Sequence, residues 1–211
     1  TVSIAAINSS TSLTLSGEKK SLEIIAQRLE KDSIFARFLN VDIPFHSPLM
    51  DGILDEFRDS LEDLKSQPAR CTVISTVTGK PVDGNDIDVE YWLQNVRQPV
   101  RFHDAVVEMI HPDRDIVIEI SAHPVLATSI RECISESDIT CEVLQTLRRG
   151  EPDDVMMYAA LGRLYTTGYP VDWSIQYDTG MDRVKLPTYK WQGDRYWTES
   201  EESHMSRHGQ R

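Results

Sequence analysis

"DIVIEISAHPVLATSIRECISE", residues 115 to 136, carries the pattern from which the fold class follows. Its first six residues are an apolar run with one internal charge, Glu119, and read as a buried parallel strand. From His123 the run "HPVLATSIRECISE" begins a helix. "CEVLQTL", residues 141 to 147, reads as a short final strand. Strands alternating with helices predict an α/β layer.

The flanking segments extend this picture. "DVEYWLQNVRQPVRFHDAVVEMI" (88–110) predicts two helical pieces broken at Pro99. "CTVISTVTG" (71–79) predicts a strand that ends at Gly79-Lys80-Pro81. Residues 47–66 predict a long helix: Ser47 suits the N-cap and Pro48 the first helical position. Leu49, Met50, Ile53, Leu54, Phe57, Leu61 and Leu64 would form its buried stripe. At the start, "VSIAAIN" (2–8) and "SLTLSG" (12–17) read as strands joined at Asn8-Ser9-Ser10. Residues 18–32 predict a helix with Leu22, Ile25, Ala26 and Leu29 on one face. "IFARFLNVDI" (34–43) reads as a further strand. Strand, strand, helix, strand is a ferredoxin-like unit that lacks its first strand and helix. After Arg148-Arg149-Gly150 the character changes to one amphipathic helix, then to "RVKLPTYKWQGDRYW", rich in aromatics and proline. Such a stretch suits packing against another surface. Residues 198–211 are polar, without period, and read as linker or disorder.

The composition sets limits. A chain of 211 residues can bury a core, and its formal net charge of −12 argues against nucleic acid as a partner, since phosphate binding needs clustered cations. No apolar run is long enough for a membrane span. Cys71, Cys133 and Cys141 have no CxxC spacing, which disfavours a disulfide framework or zinc site and fits a reducing cytoplasm. The opening "TVSIAAINSS" lacks Met and a signal-peptide pattern. It suggests a piece of a longer polypeptide.

One residue invites chemistry. His46, in "NVDIPFHSPLMDGIL" (40–54), stands directly before the predicted helix. The positive end of a helix dipole disfavours an imidazolium, and an uncharged ring is the state a general base requires. The plain alternative is a core or capping histidine. His103 and His111 read as helix-surface residues, and His204 and His208 lie in the tail. No pair has ligand spacing, so no metal site is expected.

Five ordered stretches between residues 5 and 197 resemble one family. "AAINSSTSLTLSG" is similar to AAVNxPxSVVVSG, "YWLQNVRQPVRF" to YWxxNxRxPVRF, and "IEISAHPVL" to LEIGPHPVL. "LPTYKWQGDRYW" resembles LPTYPFQRERYW, with Lys190 and Gly193 as departures. "IPFH", Ile43 to His46, stands where the motif YASH or HAFH ends in a catalytic histidine. The family is the acyltransferase (malonyl-CoA:ACP transacylase-like) domain of polyketide synthases.

The resemblance implies an incomplete acyltransferase fold of α/β class. Residues 1–41 would be a partial ferredoxin-like small subdomain, and 42–147 the C-terminal part of an α/β-hydrolase-like large subdomain. Residues 148–197 would be the post-acyltransferase linker and 198–211 the tail. It implies a Ser/His ping-pong transfer of malonyl-type units from coenzyme A to the phosphopantetheine arm of an acyl carrier protein, with no cofactor bound directly. His46 would be the general base, with the Asn95 backbone carbonyl orienting its ring. Ile43, Pro44, Phe45 and His123 would line the substrate site, Phe45 favouring malonyl units because its ring fills the space of an α-methyl group. Residues 183–197 would dock on a ketosynthase domain. No GxSxG occurs in the sequence, so the nucleophile is expected upstream and the isolated chain is expected to be inactive. The alternatives are a malonyl/acetyl transferase of a fatty acid synthase, or a non-catalytic interaction fragment.

Overall fold

The computed structural model of the chain describes residues 1–110, 116–137, 139–177, 180, 184–194, 196 and 198–209. It forms two units, Thr1–Val171 and Asp172–Arg211. The first has α/β architecture.

Its core follows from the opening motif. Strand β5 (Ile116–Glu119) pairs in parallel with β6 (Glu142–Gln145), in the register Ile116 to Glu142 through Glu119 to Gln145. Helix α5 (Ala127–Ser135) makes the crossover, and Ala127, Ile130, Cys133 and Ile134 are its buried stripe at helical spacing. Helix α4 (Phe102–Met109) packs on it through Val106, with Phe102, Met109, Val117 and Val143 around the cluster. β5 buries Glu119, while Ile118 and Ile120 face solvent. The strand is therefore covered on one face, where the sequence predicts both: its sheet has two strands among the described residues.

The N-terminal strands form as expected. β1 (Val2–Ile7) and β2 (Leu13–Gly17) pair antiparallel with an irregularity between Ile4 and Ala6, and α1 (Lys19–Lys31) follows. β1 also bonds to the segment after Pro99: Ile7 N–H donates to Val100 O at 2.9 Å and Val100 N–H to Ala5 O at 2.8 Å. The strand expected over 34–43 does not form. These residues are irregular, and Phe35, Phe38, Leu39 and Val41 are exposed. A lone strand has no ladder to complete, and no strand of the described residues lies beside this segment.

The helix expected over 47–66 is shorter and divided. A 3-10 segment, Pro48–Ile53, leads into α2 (Leu54–Ser60). Ser47 is the N-cap and Pro48 the first helical residue, as expected. Of the predicted stripe only Met50 is buried, with Leu49, Ile53 and Leu64 exposed. Gly52 lies in the 3-10 segment, and a helix interior disfavours glycine.

The stretch read as one strand over 71–79 is a hairpin, β3 (Val73–Ser75) and β4 (Lys80–Val82). Gly79 closes its turn at φ 71°, and a Cβ there would meet Asp104 Cβ at 2.6 Å. Helices α3 (Val89–Arg97) and α4 stand on either side of Pro99, as predicted, and α6 (Asp153–Thr166) closes the first unit. In the second unit the polar tail contains a helix, α7 (Glu201–His208), where the sequence pattern predicts none. Ser200 caps it through Ser203 N–H, and an Arg207–Glu199 ion pair ties it to the residues just before it. Local capping and charge can hold a helix that buries no stripe. His111 lies outside the described residues.

Candidate active site

His46 sits at a turn with a backbone φ of 60°, in the left-handed region that L side chains disfavour. Its surroundings hold it there. Its N–H donates to Val96 O at 2.9 Å and its ring Nδ1 lies 2.9 Å from Gln98 O. Ser3 Oγ on β1 donates to His46 O at 3.4 Å. Ser47, fully buried, donates from Oγ to Pro44 O at 2.6 Å and accepts from Leu49 N–H at 3.3 Å, so one hydroxyl bridges the chain across His46.

The ring geometry assigns its proton. A carbonyl oxygen can only accept, so the Nδ1 contact requires the hydrogen on Nδ1, which in the neutral ring leaves the Nε2 lone pair free. The ring is half-buried and so retains an opening. Phe45 lies beside it, ring centroids 6.2 Å apart, and is exposed.

The orienting carbonyl corrects the expectation for Asn95. It belongs to Gln98, three residues further along. Gln98 is the C-cap of α3, with φ −84° and ψ 156°, because the following Pro99 forces it out of helical geometry. Its carbonyl leaves the helix axis and meets the imidazole. Asn95 lies inside the helix. The signal was present in the sequence: the residue before the proline is the one turned outward.

The rest of α3's last turn also reaches the His46 corner. Arg97 forms an ion pair with Asp51 of the 3-10 segment. Gln98 additionally lines an open cleft of about 500 Å³ between the end of β1 (Ile7), the hairpin turn (Val77, Thr78) and Gln94.

His123 is placed differently. It is exposed, in the turn between β5 and α5, where its Nδ1 accepts from Arg149 N–H at 3.3 Å and its carbonyl from Ser121 Oγ at 3.0 Å. The structure brings Ile43 to His46, Val96 and Gln98 together, while the hydrogen-bond partners of His123 are Ser121 and Arg149. The feature of that turn is Glu119. Its buried carboxylate accepts from the N–H groups of Val125 (2.8 Å), Leu126 (3.1 Å) and Ala127 (2.8 Å), and from Ser121 Oγ (3.2 Å). Burial alone would push this carboxyl up; the three N–H groups and the Ser121 hydroxyl outweigh it and hold the group below the usual range.

His103 is half-buried, not a surface residue. Its Nε2 lies 3.1 Å from Glu136 on the α5 C-terminus, and its Nδ1 3.5 Å from Asp104. The Glu136 hydrogen bond pushes the imidazole up against the opposing effect of burial.

The acyl transferase domain model matches residues 1–171. The chain belongs to the acyl transferase domain family. Polyketide synthase GfsE of Streptomyces halstedii is 36% identical over 197 residues, covering 93% of this chain and 5% of that protein. The 5-methyl-1-naphthoate synthase of Streptomyces sahachiroi is 38% identical over 196 residues, covering 92% of this chain and 11% of that one. Among solved structures, the acyltransferase domain from module 8 of the salinomycin polyketide synthase superposes with a TM-score of 0.77 at 35% identity, over 82% of this chain and 41% of that one. This acyl transferase domain sequence thus spans a small part of the synthases it matches and under half of the solved domain. No helix among its described residues is long and apolar enough to cross a membrane.

Proposed function

We propose that this chain is the C-terminal part of a polyketide synthase acyltransferase. The intact enzyme loads malonyl-type units from coenzyme A onto an acyl carrier protein in the cytoplasm. The observation that carries the proposal is the 2.9 Å contact from His46 Nδ1 to Gln98 O, which leaves Nε2 as an acceptor on a half-exposed ring. A serine outside this chain supplies the nucleophile. Nε2 takes the serine proton as Oγ attacks the thioester carbonyl, and the departing coenzyme A thiolate receives that proton. In the second half-reaction Nε2 takes the proton of the pantetheine thiol, whose sulfur attacks the acyl-serine ester. The proton then returns to the released serine oxygen.

Phe45, Ile43 and Pro44 flank the acyl group, and Phe45 selects malonyl over methylmalonyl by volume. The family resemblance of "IEISAHPVL" supports a place for His123 at the rim of the substrate site. The exposure of Val184, Leu186, Tyr189, Trp191 and Tyr196 supports a docking role for residues 183–197 on a ketosynthase; Arg183, Arg195 and Trp197 lie outside the described residues.

The test is transfer of labelled malonyl to carrier protein by the synthase polypeptide that contains this chain. His46→Ala should lower the rate by about 10²- to 10⁴-fold. Full activity of that variant would sink the proposal. Phe45→Ser should raise methylmalonyl transfer relative to malonyl.

A further inference from the structure

We infer that the Arg97–Asp51 ion pair positions the His46 ring, an inference that rests on His46 being the proton acceptor proposed above. Three consecutive residues at the end of α3 hold the corner. The Val96 carbonyl takes the His46 N–H, the Gln98 carbonyl takes its Nδ1–H, and Arg97 between them donates from Nε to Asp51, five residues past His46. The two carbonyls reach His46 only while the helix end and the 3-10 segment keep a fixed separation. Of these contacts, the Arg97 pair is the one made between side chains, and a guanidinium–carboxylate hydrogen bond is directional. His46 also holds a left-handed backbone, which persists where neighbours over-determine it. A second ion pair, Arg58 Nη1 to Glu90 Oε2 at 3.0 Å, joins α2 to the first turn of α3. It links the same two parts of the chain by other residues, and so serves as the control.

The ¹⁵N shifts of the imidazoles in the 211-residue chain report which ring nitrogen holds the proton. In the wild type His46 should carry it on Nδ1. Arg97→Gln and Asp51→Asn should each let it redistribute toward Nε2. The exchanged pair Arg97→Asp with Asp51→Arg should restore Nδ1. Arg58→Gln should leave the tautomer unchanged, and the His103 signals should hold still throughout. In malonyl transfer by the intact enzyme, Arg97→Gln should lower kcat about ten- to a hundredfold with KM unchanged. An unaltered Nδ1 tautomer in Arg97→Gln overturns the inference. So does an equal shift in Arg58→Gln, or a parallel movement of the His103 signals. If His46→Ala remains fully active, the general-base reading falls, while the shifts still decide whether Arg97 positions the ring. If His46→Ala is inactive and Arg97→Gln keeps both tautomer and kcat, only the positioning role falls.

Discussion

Ser47 contributes more to the corner than its N-cap role suggests. Its hydroxyl satisfies Pro44 O on one side of His46 and Leu49 N–H on the other, and the side chain is fully buried. Ser47→Ala removes both bonds and leaves polar groups unpaired. It should lower unfolding free energy by about 1–2 kcal/mol in urea titration. Glu119 is a second such residue. Its carboxyl is held below the usual range, so the stability it supplies is complete above the ordinary value near 4.5 and is lost as pH falls through the depressed one. Glu119→Gln should cost about 2 kcal/mol near neutral pH, and its deficit relative to wild type should shrink in acid. A deficit that stays constant down to acid denaturation would refute the assignment.

The β1–β2 hairpin is fastened to the helical layer through its turn. Ser9 Oγ donates to Glu132 Oε2 at 2.6 Å and Ser10 Oγ to Glu136 Oε1 at 2.5 Å. Glu136 also accepts from His103 on α4, so α4, α5 and the turn meet at one carboxylate. His103 is raised, first by Glu136, with Asp104 adding to it. A raised imidazole stabilises the fold fully below its ordinary value of about 6.5, and this part is lost as pH rises through the folded value. Melting temperatures of the wild type should therefore exceed those of His103→Gln by more at pH 6 than at pH 8.5. Because β1 also bonds Val100 and reaches His46 through Ser3, this fastening locates one wall of the candidate site.

Over the first unit as a whole, apolar surface gathers on one irregular segment. Ile34, Phe35, Phe38, Leu39, Val41, Ile43 and Phe45 are all exposed, Phe35 at 89%. Large exposed apolar patches bind hydrophobic dyes and promote association. Phe35→Ser should reduce dye fluorescence of the chain while moving stability by no more than about 0.5 kcal/mol. A loss of stability well beyond that would mean the ring is packed in solution.

The α/β class, the break at Pro99, the cap at Ser47-Pro48 and the position of His46 could be read in the chain itself. Each depends on short-range physics: side-chain periodicity, the missing N–H of proline, a hydroxyl beside a helix start. The strand expected at 34–43 did not form and the helix expected through residue 66 ends at Ser60, because periodicity predicts an element only where a surface exists to cover its apolar face. The orienting carbonyl of Gln98, the Arg97–Asp51 pair and the three N–H groups around Glu119 emerged only on folding. Gln98 and Arg97 meet residues about fifty positions away, and the direction of a carbonyl or guanidinium across that separation is set by packing, which no local sequence pattern encodes.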